Sequence, residues 1–266
     1  MFDRFNRHIN YLRISVTDRC NLRCTYCMPE TGVKLMSHHE ILSYDEIAAF
    51  TKVAVRHGVD KVRITGGEPL VRKGVVTLVE MLASIEGIND LSMTTNGTLL
   101  ASFAADLKRA GLQRVNISLD TVNPEKFRKI TRVGTIDDVY AGIEAAGKAG
   151  LLPVKVNCVI ETSPAEPDAA GVAEYCRNNG LEVRFIEQMN LAGGRFSVVH
   201  GGEGGNCEVC NRLRLAANGM LRPCLFSDIE IDIRKTGYEA AMMRALELKP
   251  ACGTVSERGD FYNIGG

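Results

Sequence analysis

The chain has 266 residues, of which 45% are hydrophobic and 24% charged, which is enough for one large core with an appendage. Its 32 Lys and Arg balance its 32 Asp and Glu, so no global field recruits nucleic acid or an anionic membrane, and any anion site must be local. No apolar run approaches the length of a membrane span, and the polar start is unlike a signal peptide.

Short β-like runs alternate with helical patterns along most of the chain. We predict strands over residues 12–17, 61–65, 91–95, 114–120, 154–160 and 182–187. Helices are predicted over residues 43–57, 74–85, 101–110, 136–149 and 168–179. Six β–α alternations predict an α/β fold with a parallel sheet, and periodicity does not choose between an open sheet and a barrel.

The first cysteine group, Cys20, Cys24 and Cys27, follows the first predicted strand with the spacing C-x3-C-x2-C. Three close thiolates can hold three corners of a [4Fe–4S] cube and leave one iron open for chemistry. The alternatives are a structural zinc site or unrelated buried thiols, although structural zinc usually takes four ligands. Nine cysteines, an odd number, argue for metal ligation in a reducing cytoplasm over a disulfide framework.

The predicted strands have one apolar and one polar face, whereas strands buried on both faces of a parallel sheet read as continuous apolar runs. The polar faces carry Arg13, Lys61, Arg63, Lys155 and Arg184. If the apolar faces meet the helices, these cations share an interior and need a compensating anion. An antiparallel sheet with a solvent face shows similar alternation, but helical crossovers join parallel strands. The pattern therefore predicts a polyphosphate or nucleotide pocket.

Residues suited to a ligand site lie where the predicted strands end. Gly66-Gly67-Glu68-Pro69 follows the second strand, and Thr94, Ser118 and Met189 fall near the ends of later ones. Glycines let the backbone approach a ligand closely, and barrel sites lie at this end of the strands. Taken alone, Gly-Gly before Pro is also an ordinary turn, and Met189 also suits a core gap.

The second cysteine group, Cys207, Cys210 and Cys224, follows a glycine-dense stretch that we interpret as a flexible connector. Asn218-Gly219 lies between alternating runs and predicts a hairpin that returns Cys224 to the other two cysteines. A zinc ribbon is the serious alternative to a second cluster. It requires a fourth thiol, for which Cys252 is the sole downstream candidate.

Several motifs together resemble one family. They are the first cysteine group with Tyr26 before its last cysteine, Gly66-Gly67-Glu68-Pro69, Thr94-Thr95-Asn96-Gly97, Asn116-Ile117-Ser118-Leu119-Asp120, Cys207-x2-Cys210-Asn211-Arg212-Leu213-Arg214-Leu215 and the terminal Gly265-Gly266. The first resembles the signature of the radical S-adenosylmethionine (SAM) superfamily, and the set resembles its GTP 3′,8-cyclase family of molybdenum cofactor biosynthesis. The chain departs from that family in a considerably shorter segment before the second cysteine group.

The resemblance implies a partial (βα)6 TIM-like barrel over residues 1–189, a Gly-rich connector over 190–206 and a C-terminal auxiliary-cluster segment over 207–266. It implies two [4Fe–4S] clusters, one on each cysteine group. The positions that match SAM contacts in the family are Tyr26, Gly67, Ser118 and Met189. Those that match GTP contacts are Arg13, Arg63, Thr94, Lys155, Arg212 and Arg214, to which the polar-face pattern adds Lys61 and Arg184.

The implied activity is a radical cyclisation of GTP. A 5′-deoxyadenosyl radical from SAM abstracts the ribose 3′-hydrogen, and the carbon radical attacks C8 to give 3′,8-cyclo-7,8-dihydro-GTP. In the resembling family the terminal Gly-Gly threads into the active site, so the resemblance implies this role for Gly265-Gly266, and we expect Arg13 to be its partner there. Partners implied are an electron donor, a downstream pterin-forming enzyme and a second copy in a homodimer. Alternatives are a radical SAM peptide-modifying enzyme with an auxiliary cluster and a noncatalytic iron–sulfur protein.

Overall fold

The computed structural model describes residues 1–257, so the predicted Gly265-Gly266 tail lies outside the described residues. The strands are β1 (Tyr11–Ser15), β2 (Lys61–Thr65), β3 (Asp90–Thr95), β4 (Arg114–Ser118), β5 (Lys155–Ile160), β6 (Glu182–Glu187), β7 (Arg212–Leu215), β8 (Met220–Arg222) and β9 (Ile231–Asp232). The helices are α1 (Tyr44–Arg56), α2 (Val75–Ala83), α3 (Leu100–Arg109), α4 (Pro124–Thr131), α5 (Ile136–Ala149), α6 (Pro167–Asn178), α7 (Ile233–Thr236) and α8 (Tyr238–Glu247).

The nine strands of the described residues form one continuous sheet in the order β6-β5-β4-β3-β2-β1-β7-β8-β9. The first six are parallel, and each is joined to the next by at least one helix. This arrangement confirms the predicted α/β class with a parallel sheet. Strand β7 adds to β1 in parallel, and β8 and β9 follow it antiparallel.

The apolar faces of the parallel strands form the core, as the alternation predicts. Leu12, Ile14, Val62, Ile64, Leu91, Met93, Val115, Ile117, Val156 and Cys158 are all fully or almost fully buried in one hydrophobic cluster. Helices supply the other side of this cluster. On α1, Ile47, Phe50 and Ala54 lie on one helical face and are completely buried. The polar faces of the same strands are therefore left for a different surface.

The sequence did not predict α4, although a capping signal for it was present. The Asn123 side chain accepts a hydrogen bond from the Lys126 amide at 3.0 Å, and Pro124 occupies the first helical turn. The predicted fourth strand was too long for the same region, because β4 ends at Ser118 and the chain then turns toward this helix.

The C-terminal segment joins the main sheet at β1. Besides the β1–β7 ladder, the Tyr11 amide donates to the Asn211 carbonyl at 3.1 Å, and the Asn211 side chain donates to Asn10 at 2.9 Å. The connector also makes ordered contacts. His200 pairs with Phe185 on β6, and the Phe196 ring lies 4.5 Å from that of Phe226. The shortened connector thus leads directly into a docked C-terminal segment.

Within residues 1–257, no helix combines the length and apolar composition that crossing a membrane requires.

Arg234 on α7 fastens the C-terminal segment to α1 through Glu46. Its Nε lies 2.7 Å from Glu46 Oε1 and its Nη2 3.0 Å from Oε2. Glu46 also completes a capping box with Ser43. The hydrogen bonds from Arg234, opposed by partial burial and assisted by Ser43, lower the pKa of Glu46 to about 2.

We expect Glu46→Gln to lower the free energy of unfolding at pH 7 by roughly 1–3 kcal/mol, since a charge-assisted pair is lost while the cap is kept. The folded-state pKa is depressed, so this contribution is complete above about pH 4.5 and fades as the pH falls toward 2. Urea unfolding of parent and variant across this range measures it. Glu144→Gln, which breaks an exposed pair with Lys148, is the matched control and should leave the free energy of unfolding almost unchanged. A pH-independent difference contradicts the assignment.

Candidate active site

A cavity of about 480 Å³ lies on the polar face of the sheet, and we call it the cation cavity. Its lining includes the predicted cations Arg13, Lys61, Arg63, Arg184, Arg212 and Arg214. The same cavity is lined by Met189 and by all of the second cysteine group. Six of the eight predicted substrate contacts are therefore together. Thr94 and Lys155 share the polar strand faces but lie outside the lining, and the Lys155 ammonium pairs with Glu182.

The sheet register places three arginines side by side across the floor of this cavity. Arg13 on β1 is directly opposite Arg63 on β2 and Arg214 on β7. Burial, together with the positive charges of Arg214, Arg63 and Arg212, holds the pKa of Arg13 well below its usual range. Burial and Arg212 likewise lower the pKa of Arg214 to about 10. A bound anion relieves both effects, because it restores a favourable field for each guanidinium.

Tyr11 separates two of the cationic side chains. The guanidinium carbons of Arg63 and Arg212 each lie 5.5 Å from the centre of its ring. Both are within cation–π range, so the ring partly offsets the repulsion between them. Arg63 is also fixed by a 3.2 Å hydrogen bond from Nε to Ser92 Oγ. The two guanidiniums are thus held in place before any ligand arrives.

Sequence reasoning missed Arg114 and Asp90, which also line the cavity. They form a two-pronged ion pair, with Arg114 Nε 3.0 Å and Nη2 2.5 Å from the two Asp90 oxygens. The alternation of side chains along a strand could have identified both residues. Arg114 lies on the same face of its strand as the polar Asn116, and Asp90 on the same face as the polar Ser92. Since this pair neutralises itself, the six predicted cations still dominate the cavity.

The first cysteine group lies in the loop after β1, and all three thiols are free. Burial and the neighbouring thiols raise the pKa of Cys24, and the same causes raise that of Cys27 to about 12. Burial also raises the pKa of Cys20. The thiols are thus near enough to oppose each other's ionisation, and a cationic group is what allows three thiolates there. The donor set therefore fits an iron–sulfur cluster.

No three His, Cys, Asp or Glu side chains within residues 1–257 converge on the position of a single metal ion. A [4Fe–4S] cluster does not require three side chains to meet at one metal position, because each thiolate binds a different iron.

The loop after β2 braces the first cysteine group. The Gly67 amide donates to the Thr17 carbonyl at 2.7 Å, and a Cβ at Gly67 would lie 2.4 Å from the Arg19 carbonyl oxygen. The neighbouring Glu68 is completely buried. It accepts hydrogen bonds from Thr95 Oγ1 at 2.8 Å and from the Asn96 amide at 2.7 Å. This motif therefore fixes the cysteine loop against β2 and β3.

A second cavity, of about 520 Å³, lies beyond the ends of β5 and β6 and also includes Met189 in its lining. Met189 is thus common to both cavities. On the other predicted cofactor contacts, the Tyr26 hydroxyl donates to Asp120 at 2.6 Å, and Asp120 in turn accepts from the Val159 amide at 2.8 Å. Tyr26 is thereby held beside the end of β4, where Ser118 is the last residue.

The second cysteine group differs from the first in carrying a disulfide. Cys207 is bonded to Cys252, while Cys210 and Cys224 are free. The Lys249 ammonium lies 3.5 Å from Cys210 Sγ. Burial acts to raise the pKa of Cys210, but Lys249 and the Arg212 amide outweigh it and the pKa is lowered. The site thus favours thiolate, and Cys252, the candidate fourth thiol of the sequence, is a fourth sulfur there.

Residues 14–162 match the radical SAM superfamily. Curated relatives named GTP 3′,8-cyclase include one from Thermodesulfovibrio yellowstonii, 47% identical over 304 residues, with 94% of each chain covered. Another, from Geobacter sulfurreducens, is 38% identical over 324 residues, covering 100% of this chain and 99% of the relative. Both aligned spans exceed the 266 residues of this chain, so each relative carries residues that it lacks.

Solved structures with the same fold include Streptococcus suis SuiB, with a TM-score of 0.58 and 18% identity, covering 73% of this chain and 44% of that one. Methylornithine synthase (PylB) has a TM-score of 0.57 and 16% identity, covering 76% and 61%. At these identities the likeness concerns the fold alone. It confirms the expected partial barrel of the radical SAM type.

We expect Gly67→Ala to displace the first cysteine loop, because the new methyl group meets a backbone oxygen that cannot move alone. Iron bound per chain after anaerobic reconstitution should fall toward half, and stability should drop by about 1–3 kcal/mol. Gly147→Ala is the control, since nothing lies within 4 Å of its Cβ and an added helical alanine stabilises by about 0.5–1 kcal/mol. Full iron content in Gly67→Ala contradicts the bracing role.

Proposed function

The chain belongs to the radical SAM superfamily and, within it, to the GTP 3′,8-cyclase family, and we propose on this premise how its residues carry out the reaction. The enzyme converts GTP to 3′,8-cyclo-7,8-dihydro-GTP, the first step of molybdenum cofactor biosynthesis, and uses SAM and [4Fe–4S] clusters. When bound, SAM and the first cluster supply a 5′-deoxyadenosyl radical that abstracts hydrogen from the ribose.

The observation that carries the proposal is that one cavity joins six cationic side chains to the second cysteine group. The cations suit a polyphosphate, and the cysteines lie at the same cavity for the base end of the nucleotide. We propose that Arg63, Arg212 and Arg214 bind phosphate oxygens, because the register and the Tyr11 ring fix these three guanidiniums before binding. Fixed donors lose little entropy when the anion arrives.

Of these arginines, Arg13 is proposed to lie nearest the reacting atoms of the substrate. It is flanked by Arg63 and Arg214 and is more deeply desolvated than a surface arginine. A guanidinium in such surroundings gains more from a nearby anionic or carbonyl oxygen than it would in water. Lys61 and Arg184 line the edge of the same cavity and complete the triphosphate site. Lys155 and Thr94 remain proposed contacts on the strands beside it.

For SAM we propose the region between the first cysteine group and the second cavity. Gly67, Tyr26 and Ser118 lie on the loops and strand ends around that group. Met189 is common to the second cavity and the cation cavity, so a SAM molecule that contacts it reaches toward the nucleotide. The residues that position the two ligands are thereby adjacent, which is what transfer of a hydrogen atom between them requires.

Peptide modification is less well supported than GTP cyclisation. The SuiB structures include one bound to its precursor peptide, but at 16% identity that likeness concerns the fold alone. The cation cavity is also more highly charged than peptide binding needs. We further propose a reducing cytoplasm as the location, since the three free thiols of the first cysteine group and an iron–sulfur centre require one. An electron donor, a downstream pterin-forming enzyme and a homodimer remain proposed partners.

The Gly265-Gly266 tail is proposed to enter the active site and to act during cyclisation. It lies outside the described residues, but the chain leading to it is anchored beside the cation cavity. Gly253 lines that cavity, and Ser256 donates to Asp228 at 2.9 Å while its amide donates to the Leu191 carbonyl.

The direct test is anaerobic incubation with SAM, dithionite and GTP, followed by mass analysis of the products. We expect 5′-deoxyadenosine and a cyclised nucleotide with the mass of GTP. A chain that ends at Ile264 should still cleave SAM, while cyclisation falls by orders of magnitude. SAM cleavage without any cyclised GTP in the full chain would overturn the proposed substrate.

Arg212→Ala should weaken GTP binding by about tenfold or more, because one charge-assisted contact is worth roughly 1.5–3 kcal/mol. Calorimetry with GTP and with guanosine separates the phosphate contribution, since guanosine affinity should change little. Arg128→Ala, on the exposed surface of α4, is the control and should change neither. An equal loss for GTP and guanosine contradicts the phosphate assignment.

A further inference from the structure

The segment that follows α8 closes over the second cysteine group and touches each of its members. Lys249 Nζ lies 3.5 Å from Cys210 Sγ, and Cys252 is bonded to Cys207. A Cβ added at Gly253 would lie 3.0 Å from Cys224 Sγ and 2.6 Å from the Phe226 Cβ. Only a glycine allows the segment to come this close, so its approach to all three sulfurs is built into the sequence.

Arg7 near the N-terminus fixes the two bonded cysteines relative to each other. Its guanidinium donates to the Cys207 carbonyl at 2.8 Å and to the Ala251 and Pro250 carbonyls at 2.7 Å each. A buried ion pair with Asp3, at 2.7 Å, holds the guanidinium itself. Since one planar group binds both segments, the backbone beside Cys207 and beside Cys252 remains adjacent whether or not the sulfurs are joined. The two Cα atoms lie 5.1 Å apart, within the ordinary range for a disulfide.

The two cysteine residues differ in their exposure to solvent. Cys252 is exposed, whereas Cys207 is half-buried at the edge of the cation cavity. A small thiolate therefore attacks Cys252 more readily than Cys207, and attack there makes Cys207 the leaving group. The released sulfur is the one that faces the metal site.

We propose that Cys252 is a thiol–disulfide exchange site that controls whether Cys207 is available to bind metal. In the opening direction, a low-molecular-weight thiol attacks Cys252 Sγ, the bond to Cys207 breaks, and Cys207 leaves as a thiolate. A second molecule of the thiol then releases Cys252, so two thiols are oxidised to one small disulfide as the protein gains two thiols. In the closing direction, a low-molecular-weight disulfide is the oxidant and the same steps run in reverse.

The consequence for the enzyme rests on the proposed function, in which the second cysteine group holds a cluster. A sulfur in a disulfide is not a thiolate and does not ligate iron or zinc. With Cys207 occupied, Cys210 and Cys224 are the two thiols left in the group. The second site thus accepts metal only after reduction, whereas the first cysteine group, with all thiols free, is not subject to this control.

The pairing is tested first on the full, unaltered chain without metal. The protein is treated anaerobically with reduced or oxidised glutathione, quenched with iodoacetamide and digested with trypsin and a protease that cleaves after Glu208, which separates Cys207 from Cys210. We expect a linked pair of peptides containing Cys207 and Cys252 after oxidation, and two alkylated peptides after reduction. Linkage of Cys252 to neither Cys207 nor glutathione would overturn the proposal.

Control of metal binding is tested with Co²⁺ alone, because sulfide would itself reduce the disulfide. The Cys20→Ala/Cys24→Ala/Cys27→Ala background leaves the second site, and thiolate-to-cobalt absorbance reports its occupancy. We expect oxidation to weaken Co²⁺ binding by at least about tenfold, the lower limit seen when even an indirect ligand contact is lost. Cys252→Ser should bind Co²⁺ equally in both states. Cys176→Ala, which removes a buried core thiol elsewhere, should keep the parent's dependence.

The outcomes separate this proposal from the proposed function. If Cys252→Ser depends on reduction as the parent does, Cys252 does not control the site. If the linked peptides form and Co²⁺ binding depends on Cys252, but reconstitution of the reduced chain with iron and sulfide yields no second cluster, the exchange site stands and the second cluster does not. Melting curves of each variant confirm that the chains compared are folded.

Discussion

The pairing of β1 with strands on both its sides is the constraint on which the rest of this structure depends. One neighbour, β2, belongs to the barrel, and the other, β7, comes from the C-terminal segment. Because residues opposite each other in a parallel ladder point the same way, this double pairing aligns Arg13 with Arg63 and Arg214. It also carries the second cysteine group to the cavity wall. The cation cavity and the place of the second cysteine group in its wall are therefore consequences of one strand's position.

The cavity so formed is electrostatically costly before a ligand binds. Buried like charges repel and lose hydration, and the lowered pKa values of Arg13, Arg63 and Arg214 reflect this. The fold reduces the cost locally, through the Tyr11 ring between two guanidiniums and the Arg114–Asp90 pair. What is left is a cavity whose excess positive charge favours binding of an anion.

Much of this arrangement follows from period-two alternation in the sequence, which identified the parallel strands, their buried faces and most of the cavity cations. The same rule could have identified Arg114 and Asp90, because each lies on the polar face of its strand, with Asn116 and Ser92 respectively. The contact between Cys252 and Cys207 is different. It depends on the path of the chain after α8 and on the hydrogen bonds from Arg7 to carbonyls of two distant segments. Neither feature has a local signal in the sequence. Local patterns predict elements and faces, and they do not predict which loops meet.

The distance along the chain between β1 and β7 affects how this protein is made. Asn10 and Asn211, bonded at the entrance to the ladder, are 201 residues apart. At usual synthesis rates the ribosome needs roughly 10 to 40 s to reach the second partner after making the first. For that interval, β1 presents an unpaired strand edge with one arginine, Arg13, and such edges favour pairing with other chains. Nascent chains of this enzyme are accordingly able to associate through this edge until the last quarter of the chain has been synthesised. The charged Arg13 in the middle of β1 disfavours such association, because pairing with another chain would remove water from its guanidinium.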